Sequence, residues 1–177
     1  MKLNLGCRNR PIPGFKGMDI DAHEGVDFVG DVSDLSQFDS DSVEEIYASH
    51  ILEHFPHPRT KAVLREWNRV LVPGGKLYVA VPDFGMVVNI CYKNSMNDWV
   101  RNFLWGDQEY KTAFHYNGFD EASLTELLYK SGFKESERVE SFGICPSRDC
   151  SELRIGATTL EGNKVMVPVS LNMIGTK

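Results

Sequence analysis

The segment YASHILEHF, residues 47–55, contains two histidines and a glutamate in the pattern H-x-x-E-H. If this segment formed an α-helix, His50 and His54 would lie on one face, where both could bind a single zinc ion. Glu53 would then act as a base, as in the inverted zinc-protease pattern. The same residue types also suit a different active site, so the flanking sequence has to decide between them.

The sequence around this motif argues against a zinc hydrolase. Pro56 and Pro58 prevent a long helix from continuing through the motif. A zinc site also needs a third ligand, and His57 and His115 are available for it but follow no ligand pattern. Short motifs of this kind often arise by chance. We therefore predict no metal ligand from the sequence.

Five candidate strands end in polar or glycine residues. They cover residues 2–5, 15–20, 26–30, 43–49 and 76–82. The residues at their ends are Gly6, Asp19, Asp31, Ser49 with His50, and Asp83. Because ligands bind outside the carboxyl ends of the strands in open α/β sheets, these ends together predict one binding site.

Two helices are predicted among these strands. Residues 58–71 place apolar side chains on one face and charged side chains on the other, and the turn 73–75 follows them. Residues 120–130 begin at Asp120, a suitable N-cap, and Gly132 follows as the residue after the helix end. Strands mixed with helices predict an α/β fold.

The chemistry of the strand ends suggests a nucleoside ligand. Gly6 would let the backbone approach a ligand closely, and Asp19 would accept hydrogen bonds from both ribose hydroxyls. Asp31 could accept one from an adenine amino group. The chain has neither G-x-G-x-x-G nor a P-loop sequence, which argues against NAD and ATP. An adenosine carrier without a pyrophosphate, S-adenosylmethionine, is favoured instead.

Six segments in this order resemble the class I S-adenosylmethionine-dependent methyltransferases, in particular a short bacterial group of predicted methyltransferases. They are LNLGC (3–7), GMDID (17–21), VGDVSDL (29–35), IYASHILEHF (46–55), LREWNRVLVPGGKLYVAVPDF (64–84) and FHYNGFDEASLTELLYKSGF (114–133). The resemblance covers residues 2 to about 142 and returns at VSLNMIGTK, 169–177. It implies a Rossmann-like, doubly wound seven-stranded α/β sheet, mostly parallel, with an antiparallel last strand.

The resemblance also implies S-adenosylmethionine as the cofactor and assigns roles position by position. The implied cofactor-binding residues are Leu5, Gly6, Cys7, Arg8, Asp19, Ile20, Asp31, Val32, Ser49 and His50. The candidate catalytic bases are His50, His115 and Asp83. Imidazole suits this task because it titrates near neutral pH. In this interpretation Glu53 and His54 support the site or pack beside it.

Two departures from the family pattern bear on the cofactor site. Arg8 stands where the family usually has a second glycine, and it would either pair with the cofactor carboxylate or obstruct the site. Only residues 7–18 separate Gly6 from Asp19, and Pro11 and Pro13 fall among them. Because proline inside a helix costs about 3 kcal/mol, we expect the first crossover to be shortened to a loop.

Aromatic residues are concentrated between residues 99 and 119. They are Trp99, Phe103, Trp105, Tyr110, Phe114, Tyr116 and Phe119. The segment 84–119 would be an insertion that forms a lid over an acceptor pocket, with Trp105, His115, Tyr116 and Asn117 binding the substrate. A satellite core beneath a long connection is the alternative interpretation.

The composition limits the remaining possibilities. A chain of 177 residues predicts one domain, 1–177, and a net charge of −6 disfavours a nucleic-acid partner. Four cysteines without a C-x-x-C pair, and no long apolar run, predict a cytoplasmic protein without a membrane segment. A homo-oligomer is left open, and residues 143–168 could form a hairpin, a loop or an oligomer contact.

The function predicted from the sequence is methyl transfer from S-adenosylmethionine to a small-molecule or glycan-like acceptor. One alternative is a binding or scaffold protein with this fold but without activity, because Arg8 could block the cofactor. A zinc hydrolase that uses His50 and His54 is the less favoured alternative.

Overall fold

Nine strands and four α-helices lie within the residues that the computed structural model describes, which are 1–94, 96, 98–144, 154–158 and 164–177, with backbone alone for 92–94, 154–158 and 164–167. The strands are β1 (Lys2–Leu5), β2 (Lys16–Asp19), β3 (Phe28–Val29), β4 (Val43–Ser49), β5 (Leu71–Pro82), β6 (Glu135–Val139), β7 (Arg154–Thr158), β8 (Lys164–Pro168) and β9 (Ser170–Thr176). The α-helices are α1 (His57–Val70), α2 (Phe84–Asn94), α3 (Asp98–Trp105) and α4 (Glu121–Lys130), and a short 3₁₀ helix covers Leu52–His54.

Seven strands form one sheet in the spatial order β3-β2-β1-β4-β5-β9-β6. Strands β1 to β5 are parallel to one another, whereas β9 runs antiparallel to both β5 and β6. The predicted doubly wound sheet with an antiparallel last strand is therefore confirmed. No helix among the described residues combines the length and apolar character needed to cross a membrane.

The first crossover is a loop, as its prolines predict. Between β1 and β2 the chain makes turns, with hydrogen bonds from the Arg10 N–H to the Cys7 carbonyl and from the Phe15 N–H to the Ile12 carbonyl. The Ile12 side chain is buried and replaces part of the cover that a helix would provide. The end of β1 is therefore joined to the start of β2 by a short loop with internal backbone hydrogen bonds.

Two strand boundaries differ from the prediction. Strand β3 is shorter than residues 26–30, because the chain just before it turns and the Asp27 carboxylate bonds to Lys16 and to the Gly17 N–H. Strand β5 begins at Leu71, directly after α1, rather than at residue 76. Its first residues pair irregularly with β4, and Gly74 has a φ of +80° that accommodates the bend.

Residues 143–168 contain the pair of antiparallel strands β7 and β8. Of the three possibilities left open by the sequence, the described part of this segment shows the hairpin-like pairing. Residues 145–153 and 159–163, which include two of the four cysteines, lie outside the described residues.

Helix α1 holds the loop that follows β3. Trp67 is completely buried, and its Nε1–H donates a hydrogen bond of 2.8 Å to the Val32 carbonyl. The Leu35 N–H donates to the Glu66 carboxylate, and Arg69 donates to the Leu35 carbonyl. The loop that carries Asp31 is therefore fixed by one face of α1.

Candidate active site

The carboxyl ends of four parallel strands meet at one edge of the sheet. Leu5 is in register with Met18 on β2 and with Ala48 on β4, and Asp19 is in register with Val29 on β3. The residues that come next, Gly6 and Ser49 among them, therefore follow neighbouring strands at the same edge. This is the arrangement that the strand-end residues predict.

Gly6 is confined by a neighbouring side chain. It has a φ of +66°, and its N–H donates to the Met18 carbonyl at 2.8 Å. A Cβ at this position would collide with the side chain of Ile51, so only glycine fits. The sequence predicts that a ligand approaches the Gly6 backbone closely. On the side where a Cβ would stand, the Ile51 side chain makes this approach instead.

Arg8 occupies a glycine-like position in the loop after β1. Its φ of +46° lies in the left-handed region that L-residues disfavour, in agreement with the family's glycine at this place. Its N–H donates a 2.7 Å hydrogen bond to Asp19 Oδ2. Its guanidinium lies 5.0 Å from the ring centre of Tyr110, so the side chain connects this loop to the aromatic segment.

Cys7, beside this loop, is buried. Burial, followed by the negative charge of Asp19, raises the pKa of the Cys7 thiol from 9.0 to about 11. The side chain is therefore a neutral thiol at physiological pH, and Asp27 adds to the same effect. A Cβ on Gly17 would meet its sulfur, which shows how closely β1 and β2 pack here.

Asp19 is a buried carboxylate at the end of β2. Only 5% of the residue is exposed, and Oδ1 accepts a hydrogen bond of 3.2 Å from the Asp21 N–H in addition to the Arg8 contact. A carboxylate offers about four acceptor sites, so these two bonds leave capacity for ligand hydroxyls. Beside it, the apolar side chain of Ile20 is 52% exposed.

The two residues predicted to hold the adenine edge have different environments. Asp31 is exposed, and its Oδ1 accepts a hydrogen bond of 2.8 Å from the Ser33 N–H. The Val32 side chain is buried in the main core, and its carbonyl is occupied by Trp67. Val32 therefore anchors the loop with its side chain and carbonyl, which leaves Asp31 as the polar group at the surface.

Ser49 and His50 follow β4. Ser49 Oγ is buried and has no hydrogen-bond partner among the described residues. His50 adopts a φ of +55°, its Nε2 lies 2.9 Å from Ser170 Oγ, and its Nδ1 lies 3.2 Å from Glu53 Oε1. Both ring nitrogens of His50 are thus engaged, which fixes the ring but occupies the atoms that a base would use.

Asp83 has structural partners on both carboxylate oxygens. Oδ2 lies 3.0 Å from Arg138 Nη2, and Oδ1 accepts a hydrogen bond of 3.1 Å from the Met86 N–H in the first turn of α2. The carboxylate therefore caps a helix and pairs with β6. This arrangement gives no support to the prediction that Asp83 is a base.

Glu53, His54 and His115 form a cluster beside these residues. The Leu52–His54 helix has three residues and is of the 3₁₀ type, so His50 and His54 do not share the α-helical face that the zinc-hydrolase pattern requires. The ring of His54 instead meets that of His115, with centroids 4.8 Å apart. The sequence signal for Glu53 was the H-x-x-E-H pattern, but nothing in the sequence predicts that His115 joins it.

Electrostatics distinguish the members of this cluster. Burial alone would raise the pKa of the completely buried Glu53 carboxyl, but the contact with His50 and the charges available on the three histidines lower it overall. Burial lowers the pKa of His115, more than the nearby Glu53 carboxylate raises it. Glu53 is therefore ionised near neutral pH, and the His115 ring is neutral.

The aromatic segment divides into a buried and an exposed part. Phe103 is buried and Trp99 packs partly against the second core cluster, with Val87, Ile90, Val100 and Val169. In contrast, Trp105 and Tyr116 are 47% and 54% exposed. The buried part is the satellite core of the alternative interpretation, and the exposed part is the part for which the acceptor pocket stays a prediction.

The exposed part of this segment is tied to the site by backbone hydrogen bonds. The Tyr116 N–H donates to the Glu53 carbonyl at 2.9 Å, and the His115 N–H donates to the Trp105 carbonyl at 3.0 Å. The Asn117 Nδ2 atom is buried and has no partner among the described residues. Of the four residues predicted to bind substrate, Tyr116 and His115 are therefore brought next to residues that follow β4.

Comparison with known proteins agrees with this architecture. Residues 16–79, from β2 to within β5, match a family model described as a methyltransferase domain. A search of curated proteins finds no significant sequence match. Similar solved structures include a SAM-dependent methyltransferase from Archaeoglobus fulgidus, which is 15% identical with a TM-score of 0.60 and is matched over 99% of this chain and 85% of that one.

Two further structures have the same fold. One is a SAM-dependent methyltransferase from Methanosarcina mazei, 22% identical, with a TM-score of 0.58 over 99% of this chain and 91% of that one. The other is 1,6-didemethyltoxoflavin-N1-methyltransferase from Burkholderia thailandensis with bound S-adenosylhomocysteine, 15% identical, with a TM-score of 0.58 over 99% and 70%.

The family match and the sheet order point to the same class of protein. Residues 16–79 match a methyltransferase domain, and the chain as a whole has the fold of S-adenosylmethionine-dependent methyltransferases. One of the structures with this fold contains bound S-adenosylhomocysteine.

Proposed function

We propose that this chain is a class I S-adenosylmethionine-dependent methyltransferase. It would act on a small-molecule or glycan-like acceptor that binds between the strand ends and the exposed aromatic side chains. The observation that carries the proposal is the exposure of Trp105 and Tyr116 immediately beside Glu53 and His115. Exposed aromatic faces favour stacking on flat rings and on the apolar faces of sugars. The didemethyltoxoflavin enzyme with the same fold acts on a small molecule, which agrees with this acceptor class.

The residues at the sheet edge fit the cofactor. Asp19 has acceptor sites left for the ribose hydroxyls, Ile20 offers an exposed apolar surface for adenine, and Asp31 can accept from the adenine amino group. Ser49 Oγ is a buried polar atom without a partner among the described residues, and it lies at the end of the central strand β4. A bound ligand would satisfy it.

When bound, S-adenosylmethionine supplies an electrophilic methyl group on a positively charged sulfur. The chain positions the acceptor and excludes water, and these two effects supply most of the acceleration in such a transfer. A hydroxyl acceptor also needs its proton removed. Of the predicted bases, His50 and Asp83 are engaged at both polar atoms, whereas His115 has a described partner only at Nδ1, the Phe103 carbonyl at 2.9 Å.

The acceptor class can be tested with labelled cofactor and fractionated acceptors. We expect methyl label in the small-molecule or oligosaccharide fraction and none in nucleic acid, because a chain of net charge −6 repels polyanions. Label that enters nucleic acid or protein would contradict the proposal. Calorimetry with S-adenosylhomocysteine should precede this assay, and no detectable binding would instead support the inactive scaffold.

The aromatic contact can be tested by matched substitutions. Trp105→Ala and Tyr116→Ala should raise KM for the acceptor about five- to tenfold, since each removes a stacking surface worth roughly 1–1.5 kcal/mol. Affinity for S-adenosylhomocysteine should stay the same. Tyr129 is also 50% exposed but lies on α4, so Tyr129→Ala serves as the control and should change neither quantity. An unchanged KM in both test variants would remove the aromatic surface from the acceptor site.

A further inference from the structure

Three potential ligand atoms converge beside the end of β4. One atom each from Glu53, His54 and His115 lie within 4.8 Å of one another. The ligands of a tetrahedral zinc ion lie about 3.3–3.5 Å apart when the metal–ligand bonds are about 2.0–2.1 Å. Side-chain rotation would therefore have to bring these three atoms closer together for them to bind one ion.

A bound cation would stabilise the buried Glu53 carboxylate. The side chain is completely buried. His50 Nδ1 lies 3.2 Å from Oε1 and lowers the pKa of the carboxyl, but Oε2 has no hydrogen-bond partner among the described residues. Burial of a carboxylate is costly unless the charge is paired or coordinates a metal.

Each of the two histidines contacts a backbone carbonyl through Nδ1, which leaves Nε2 as its remaining nitrogen. His54 Nδ1 lies 3.0 Å from the Phe114 carbonyl oxygen, and His115 Nδ1 lies 2.9 Å from the Phe103 carbonyl oxygen. A carbonyl only accepts hydrogen bonds, so each Nδ1 carries the hydrogen and each neutral ring has its lone pair on Nε2. Metal-binding histidines are oriented by this type of backbone hydrogen bond on the opposite nitrogen.

We propose that Glu53, His54 and His115 bind one divalent transition-metal ion, for which Zn²⁺ is the best-matched probe. Two imidazole nitrogens and one carboxylate, with a fourth position open, are the ligand set of several catalytic zinc sites. The same set does not suit Mg²⁺ or Ca²⁺, which take oxygen ligands almost exclusively. His50 Nδ1, 3.2 Å from Glu53 Oε1, would orient the carboxylate.

The catalytic role of this ion rests on the proposed function, whereas binding of the ion to the three side chains does not. The ligands adjoin Tyr116 and Asn117, so the open position belongs to the acceptor side of the site. With its Nε2 bound to the ion, His115 would not act as the base. An acceptor hydroxyl held at the open position would instead lose its proton to water more readily. The oxygen would then form a bond to the methyl carbon, while the carbon–sulfur bond breaks and its electron pair stays on sulfur.

Zinc binding to the purified, chelator-treated protein tests the site without cofactor or acceptor. We expect one equivalent of Zn²⁺ by calorimetry or by competition with a chromophoric chelator. Substitution of an outer-shell residue already weakens metal sites about 10–100-fold, so Glu53→Gln and His115→Ala should weaken binding by at least about 100-fold. His57 is an exposed histidine outside the cluster, and His57→Ala should leave binding unchanged.

Co²⁺ in place of Zn²⁺ provides a spectroscopic readout that needs no variant. We expect visible d–d absorption of a site with nitrogen and oxygen ligands, without a thiolate charge-transfer band. A thiolate band would place the ion on cysteine and overturn the proposal. Absence of stoichiometric Zn²⁺ would also overturn it, as would equal binding by wild type, Glu53→Gln and folded His115→Ala. Because no methyl transfer is measured, these outcomes are independent of the acceptor assay.

Discussion

At the scale of single residues, Asp19 has a structural role that does not depend on a ligand. Its carboxylate accepts backbone hydrogen bonds from Arg8 and Asp21, and thus joins the loops that follow β1 and β2. Because the side chain is buried, removing it leaves two N–H groups without their acceptor. The Asp19 carboxylate therefore stabilises the fold, in addition to its proposed role in binding the ribose.

We predict that Asp19→Ala weakens S-adenosylhomocysteine binding and also lowers the free energy of unfolding. Two hydrogen bonds to an ionised group are lost, so the cost should be about 2–4 kcal/mol. Asp19→Asn retains one acceptor oxygen and should cost less, while affinity still falls because the charge is gone. Calorimetry and urea unfolding measure the two effects.

The exposed Glu24, in the loop after β2, provides the matched control for this pair. Glu24→Ala should change neither affinity nor stability. Full affinity in folded Asp19→Ala would show that the ribose is held elsewhere, whereas full stability would show that the Arg8 and Asp21 N–H groups find other acceptors.

The sequence predicts which residues stand at the strand ends, but it does not predict which side chains they contact. Gly6 was recognisable as a glycine that permits close approach, but the side chain that makes the approach, Ile51, is brought there by tertiary structure. The partners of Asp83 come from β6 and α2, which are remote in sequence or defined only by the fold. Side-chain partners depend on packing, so a motif predicts position more reliably than role.

At the scale of elements, the fixed loop after β3 depends on one buried hydrogen bond. Trp67 in α1 is fully buried and donates to the Val32 carbonyl, one residue from Asp31. The helical periodicity of residues 58–71 predicted that Trp67 faces the core, and α1 covers almost the same range. The hydrogen bond itself could not be predicted, since it joins residues that are 35 positions apart.

We predict that Trp67→Phe lowers the free energy of unfolding by about 1–3 kcal/mol, because the Val32 carbonyl stays buried without its donor. Affinity for S-adenosylhomocysteine should also fall severalfold, since the loop that carries Asp31 loosens. Trp105→Phe is the control, because that indole is 47% exposed and should not affect stability. If Trp67→Phe lowered stability but left affinity intact, Asp31 would not depend on α1 for its position.

Local sequence patterns predict individual helices, caps and loops, but they do not predict the order of the strands in the sheet. Pro11 and Pro13 correctly predicted a loop in place of the first crossover helix. Asp120 forms the predicted N-cap, in a capping box with Ser123. Strand β9, in contrast, lies between β5 and β6 although it comes last in the chain. Only the family resemblance, and no local pattern, implied an antiparallel strand of that kind.

At the scale of the whole molecule, the described structure joins the cofactor edge and the aromatic segment through several independent contacts. The Arg8 guanidinium lies against the Tyr110 ring, the Tyr116 N–H bonds to the Glu53 carbonyl, and Asp83, directly after β5, forms a parallel β-bridge with Phe119. These contacts link residues 84–119 to the strand ends at three places. They support the prediction that the insertion and the sheet unfold together as a single domain.

This prediction can be tested by thermal unfolding with S-adenosylhomocysteine at one hundred times its calorimetric Kd. Binding at that ratio stabilises the folded state by about 2.7 kcal/mol, which corresponds to roughly 5–10 °C in Tm for a domain of this size. We expect one transition, seen alike by tryptophan fluorescence and far-ultraviolet circular dichroism, that shifts as a whole. Trp99 and Trp105 lie in the insertion and Trp67 in the main core, so fluorescence reports on both. Two transitions, of which only one moves with ligand, would mean that residues 84–119 unfold separately and that the cofactor site does not depend on them.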